Sequence, residues 1–166
     1  MQAIPPTLKK WNEIKGQAAV SMDTGKKVGT VEDFYFNPKT SSIVALLVKT
    51  SLLGHRVLPG NAISAIGTDA VAFTNENLLD MEGSHKELLA LPQGHTLLNY
   101  RVLSKGGNVL GNIGNILCNV ETPGEPRVAA FELAGDLRSR LSNKYQSIPA
   151  DKIVSYGHML SSLLMM

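Results

Sequence analysis

Four histidines, one cysteine and a few carboxylates are the residues of this chain best equipped for chemistry, and their spacing limits what they can do. His55, His85, His95 and His158 are scattered, and no two stand four apart as they would on a zinc-binding helix. Cys118 is the only cysteine, so it can neither anchor a Cys-rich metal site nor close an internal disulfide. It ends the run Asn115-Ile116-Leu117-Cys118 with no basic neighbour to favour a thiolate, and reads as a small buried hydrophobe. Glu32 and Asp33 are adjacent, but neighbouring strand residues face opposite sides, which denies them the geometry of a catalytic carboxylate pair. Asp33 is expected instead to pair across strands or to accept turn hydrogen bonds. The glycines of 25–29 and 107–114 are followed by neither Lys-Ser/Thr nor a helical pattern, so they read as turns and bends, not phosphate loops. Gly-x-Ser-x-Gly is absent. These residues point to no catalytic, cofactor-binding or metal-ligating constellation, and the expectation is a protein that is not an enzyme.

The elements that carry these residues are short. The 166 residues are 43% hydrophobic and 18% charged, a globular composition, with 15 Gly and 8 Pro marking frequent turns. Sixteen basic against 14 acidic side chains leave a net charge of +2, too little for a general pull towards nucleic acid or anionic lipid. The longest clean apolar run, Ile43 to Val48, has strand length, and no stretch is long enough to span a bilayer. The N-terminus lacks the apolar core of a signal peptide, and the lone cysteine fits a reducing compartment, so a cytoplasmic location is expected.

Comparison of the chain with itself organises it. Leu8, Ile14, Gly16, Val20 and Ser21 align with Leu91, Leu97, Asn99, Leu103 and Ser104; Gly25 and Gly29 with Gly107 and Gly111; Val31, Phe34 and Asn37 with Ile113, Ile116 and Asn119. Leu58-Pro59, Ile63 and Gly67 then align with Ile148-Pro149, Ile153 and Gly157. The offset changes only at expected turns, where strand register is not at stake. Two copies of one unit, near 8–76 and 91–166, are therefore expected. In the first, Gln17–Ser21, Val28–Asn37, Ile43–Thr50, Arg56–Leu58 and Ala70–Thr74 read as strands. Along 28–37, Phe34 and Phe36 should face one side, Asp33 and Tyr35 the other. Gly25 suits a left-handed turn, Gly29 a bulge or bend, and Gly107 and Gly111 repeat both. Ser84-His85-Lys86-Glu87 before Leu88-Leu89-Ala90-Leu91 has capping-box spacing, which predicts a short helix between the units.

The pattern Gly25-x-x-Val28-Gly29-x-Val31-x-Asp33-Phe34-x-Phe36-Asn37-x-x-Thr40-x-x-Ile43-Val44 resembles the PRC-barrel family. So does its closing element, Val57-Leu58-Pro59 followed by Ile63, Ile66-Gly67, Asp69 and Val71. The second unit departs from it: Asn115 replaces the acidic residue, and a Gly-Pro insert replaces the Thr40 turn. The family takes its name from the photosynthetic reaction centre H subunit and supplies a domain of the ribosome maturation factor RimM. The resemblance implies an all-β fold of about six strands per unit, with no catalytic residues common to the family. The expected organisation is two tandem small PRC-like β-barrels: residues 1–76, a short helical linker over 77–90, and residues 91–166.

Binding is the expected function, as an adaptor or scaffold for protein partners that uses barrel loops and the groove between barrels. The candidate contacts are Leu52, Leu53 and Arg56 in the first loop, and Arg138, Arg140, Lys144 and Tyr145 in the long insertion of the second unit. Two further features, Lys9-Lys10-Trp11 and the apolar tail from Met159, read as segments stapled to a barrel or open to a partner. By the resemblance, partners include components of ribosomal or photosynthetic complexes, and an RNA-associated maturation role is the alternative. A homo-oligomer is compatible with the sequence.

Overall fold

Alternation along one long strand sets the architecture. In the computed structural model, which describes residues 8–81, 83, 85–98, 100–134, 147–157 and 162–165, strand β3 (Lys27–Phe36) sends Phe34 and Phe36 into the main core, while Asp33 and Tyr35 stand on the opposite face. The chain enters through β1 (Leu8–Lys10), helix α1 (Trp11–Ile14) and β2 (Ala18–Ser21), and leaves β3 for β4 (Ile43–Lys49), β5 (His55–Pro59), β6 (Ile63–Ile66), β7 (Ala70–Phe73) and β8 (Asp80–Met81). Helix α2 (Gly94–Leu97) precedes β9 (Arg101–Leu103), β10 (Val109–Asn119), β11 (Arg127–Ala134), β12 (Ser147–Pro149), β13 (Ile153–Gly157) and β14 (Ser162–Met165).

The protein is mostly β, in two sheets. One runs β6-β7-β2-β3-β4-β5-β8; the other runs β13-β14-β9-β10-β11-β12, with β1 added to β10. Neighbours are antiparallel except β2 with β7 and β9 with β14. Among the described residues the paths are open, because no pairing joins β6 to β8 or β12 to β13. The 3-10 turns Gly60–Ala62 and Ala150–Lys152 interrupt the ladder after Pro59 and Pro149, so β5 does not pair with β6, nor β12 with β13, among the described residues.

Glycine acts where backbone must bend or approach. Gly25 and Gly107 take positive φ, 69° and 85°, in the turns before β3 and β10. Gly29 sits at a bulge in which Ala19 faces Gly29 and Val20 faces Lys27, leaving Val28 unpaired. A Cβ at Gly29 would stand 2.6 Å from the Lys49 carbonyl oxygen and from Val48 Cγ1. Gly111 lies at the corresponding irregularity between β9 and β10.

The two halves do not have separate interiors. One continuous cluster contains Phe34, Phe36, Leu46 and Leu58 of the first sheet together with Ile113, Ile116, Phe131 and Ile148 of the second. Phe36 and Phe131 meet edge to face at 6.4 Å, and Trp11 stands edge-on to Phe34 at 4.7 Å. Each lead segment also crosses to the other sheet. β1 pairs with β10, Lys10 opposite Leu117, and Gln93 bridges Tyr35 of β3. The expected first unit, 1–76, thus gives its opening strand to the second sheet. The expected linker, 77–90, is no single helix: it supplies β8, paired with β5, and a 3-10 turn over Lys86–Ala90. Trp11, expected as a staple, is a core residue.

Asp33 fixes the second crossing. Its carboxylate is buried and accepts hydrogen bonds from the N–H groups of Phe34 (2.9 Å) and His95 (3.2 Å), and from Nδ1 of the His95 ring. It therefore caps α2 from another strand, a role ordinarily local to the chain. Asn115, its counterpart on β10, accepts from Ile116 N–H at 2.9 Å.

Replacing Gly29 by Ala should cost about 1–3 kcal/mol, because the new methyl meets backbone that cannot rotate away. Urea denaturation reads this directly; a change under about 0.5 kcal/mol would show that β3 and β4 separate freely.

Candidate functional site

Where β3 and β10 end, two short turns begin with the same residue. Asn37 Oδ1 accepts from Lys39 N–H at 2.9 Å, and Asn119 Oδ1 accepts from Glu121 N–H at 3.1 Å. A threonine stands three residues after each, Thr40 and Thr122. The second turn thus keeps the Asn-x-x-Thr spacing, and its Gly-Pro insert follows Thr122.

The turns are drawn together by main-chain bonds between the halves. Ile43 N–H donates to Pro126 O (2.9 Å), Val128 N–H to Ser41 O (2.8 Å) and Gly124 N–H to Ile63 O (2.9 Å). Arg127 Nη2 adds a bond to Thr40 O at 2.9 Å. Ser41 is the one non-glycine with positive φ among the described residues, at 63°. That conformation costs about 1 kcal/mol or more and is held because the Ser41 carbonyl serves the other half.

Between the turns lies a cleft of about 830 Å³, within the size range of ligand sites. Asn37, Thr40, Asn119 and Thr122 form its polar rim; half-buried Val44 and Pro59 add apolar lining. Its charged side chains are His85, Glu87, Glu125 and Arg127. A shallower depression of about 460 Å³ shares Asn61 and Gly124 with it and extends it towards Leu78.

One wall is the segment that follows β8. Leu88, with Leu91 beside it, covers Tyr35, Ala45, Leu47 and Val57 on the outer face of the first sheet. His85 ties the segment down, with Nε2 2.7 Å from Asp80 Oδ2 and Nδ1 3.2 Å from Glu87 Oε1. The hydrogen bond to Asp80, then that to Glu87, raises the His85 pKa above its usual 6.5. Glu87 is held below the usual glutamate value, first by its own backbone N–H and then by His85. A raised histidine pKa contributes stability that is complete below 6.5 and lost as pH rises through the folded-state value.

The first expected contact loop is displayed at the far end of the same sheet. Leu52 is 92% exposed and Leu53 62% exposed. The loop is internally bonded: Thr50 Oγ1 donates to Gly54 O at 2.6 Å and accepts from Leu53 N–H at 3.0 Å. Met22 and Met81 are exposed at this end too, on the turn after β2 and at the tip of β8. Arg56 is placed differently from the two leucines. It is half-buried on β5 between Val48 and Met81, and its buried Nε has no hydrogen-bond partner among the described residues. Arg138, Arg140, Lys144 and Tyr145 lie outside the described residues, as do Lys10's upstream neighbours 1–7 and residues 158–161 of the tail.

The chemistry-bearing groups are used in packing. His95 is engaged by Asp33, His55 Nε2 lies 2.7 Å from Glu32 Oε2, and no group of three or more His, Cys, Asp or Glu side chains among the described residues could hold a metal ion. Cys118 is fully buried and burial pushes its pKa up to about 12. No helix among the described residues is long and apolar enough to cross a membrane. A groove between the two units was expected, but the paired asparagines that line this cleft were not among the expected contacts. The repeated Asn-x-x-Thr spacing was the available signal.

Residues 6–78 match the PRC-barrel domain family. No curated protein matches the chain.

Two measurements follow from the buried thiol and the histidine latch. Cys118 should resist a thiol reagent at pH 8 in the native protein and react at once in denaturant, since protonated and covered sulfur is a poor nucleophile. In an NMR titration the His85 ring should show a midpoint above 6.5, and Asp80→Asn should move it down. A midpoint unmoved by that change would remove Asp80 as the cause.

Proposed function

We propose that this chain is a non-catalytic docking module that holds a protein partner, acting as an adaptor or scaffold. The observation that carries the reading is the Leu52–Leu53 tip. Two large apolar side chains are kept in water by a loop whose own hydrogen bonds prevent their collapse onto the sheet. A surface of that kind gains free energy when a partner covers it, about 25 cal/mol for each Å² of apolar area removed from water. Arg56 supports it from below, half-buried and with hydrogen-bonding capacity to spare.

We also read the C-terminal half as a second PRC-type unit. The shared order of strands, the bulges at Gly29 and Gly111, and the paired Asn-x-x-Thr turns support this. Under this reading the docking module is a fused pair whose two units share one core. An RNA-associated role draws less support, because Glu87 and Glu125 share the cleft with His85 and Arg127 and would repel phosphate.

Leu52→Ser combined with Leu53→Ser should abolish most partner capture from a native extract while changing stability by no more than about 0.5 kcal/mol, as expected for exposed sites. A pull-down with a parallel denaturation curve checks both. Undiminished capture by the double variant would remove this tip from the docking surface.

A further inference from the structure

We infer that the cleft between the two Asn-x-x-Thr turns is a groove for an extended polypeptide segment, gripped through its backbone. The inference rests on the docking reading and names the partner chemistry for a second surface, remote from the Leu52–Leu53 tip.

Three observations carry it. The first is the pair of asparagines. Each spends its carboxamide oxygen on its own turn, at 2.9 Å for Asn37 and 3.1 Å for Asn119. Each therefore keeps a carboxamide nitrogen with no partner among the described residues, on opposite rims of one cleft. Amide donors set at fixed points on a rim suit the carbonyls of an extended chain, which recur at regular intervals whatever its side chains. The second is the apolar lining. Val44 and Pro59, both half-buried, offer apolar surface to alternate side chains, which point one way in an extended segment. The third is charge. The two acidic and two basic side chains balance, and Arg127 is already bonded to Thr40 O. A neutral backbone matches this better than a phosphate chain does. The depression that shares Asn61 and Gly124 with the cleft adds room beside it.

The rims are also prebuilt. Both turns are closed by their own hydrogen bonds and tied to the opposite half by the Ile43–Pro126 and Val128–Ser41 bonds. Little ordering is left for a ligand to impose, which favours binding by a rigid site.

The test uses the full chain, immobilised, and a displayed library of random dodecapeptides. The expected result is enrichment of neutral sequences with apolar residues at alternate positions. A synthetic peptide of the enriched sequence should bind about tenfold more weakly to the variant Asn37→Asp with Asn119→Asp. Aspartate keeps the oxygen that closes each turn and removes the unpartnered donor. The same peptide with alternate amides replaced by (E)-alkene isosteres, which remove the carbonyl acceptor, should also lose about tenfold, a comparison that needs no variant to fold. Binding to the Leu52→Ser, Leu53→Ser variant should be unchanged. Failure of the library to enrich any sequence, equal binding by the Asn37→Asp, Asn119→Asp variant, or displacement of the peptide by poly(U) RNA would each overturn the groove. Loss of native capture by the leucine variant alone would leave the docking reading standing without it.

Discussion

The structure depends on one constraint: two sheets share a single apolar interior, and each receives its lead segment from the other half. β1 lies on β10, and Gln93 and α2 lie on β3. Buried aromatic and aliphatic side chains such as Trp11, Phe34, Phe36 and Phe131 each contribute about 1.5–3 kcal/mol when removed from water, and here they do so across the boundary between halves. Asp33 converts that general attraction into register. A buried carboxylate left without its His95 and Phe34 donors would be costly, so α2 has one favourable seat.

Position of the cleft follows from the same constraint. Because the interiors are fused, the ends of β3 and β10 are brought side by side, and the turns after them must face each other. The bonds across the seam then hold Ser41 in a conformation that a free turn would abandon. Rigid rims and a covered outer face are thus products of the joining, and neither half could supply them from its own residues.

Local order was legible in the residues because its causes are local. Period-two alternation placed Phe34 and Phe36 opposite Asp33 and Tyr35, the apolar run from Ile43 foretold a strand, and Gly29 marked a bulge. Cys118 in its apolar run was readable for the same reason. What depends on distant pairing was not. Nothing in Leu8-Lys9-Lys10 names β10 as its partner, and the leucines of 88–91 announce burial without saying that the outer face of β3–β5 is what they cover. The 3-10 turns after Pro59 and Pro149, which separate β5 from β6 and β12 from β13, are likewise not encoded by the strand pattern. The tip of 51–54 was readable as apolar; its rigidity came from Thr50, whose side-chain bonds no pattern of hydrophobicity encodes.

The crossing of β1 has a bearing on synthesis. Chains emerge N-terminus first, at roughly 5–20 residues per second. Residues 8–10 must then wait, unpaired, until 117–119 have left the ribosome, and the first sheet lacks its α2 cover for most of that interval. The outer face of β3 is open to chaperones until Leu88 and α2 arrive. Translation speed and holdase supply therefore bear on the yield of folded protein more heavily than for a chain whose first domain completes itself.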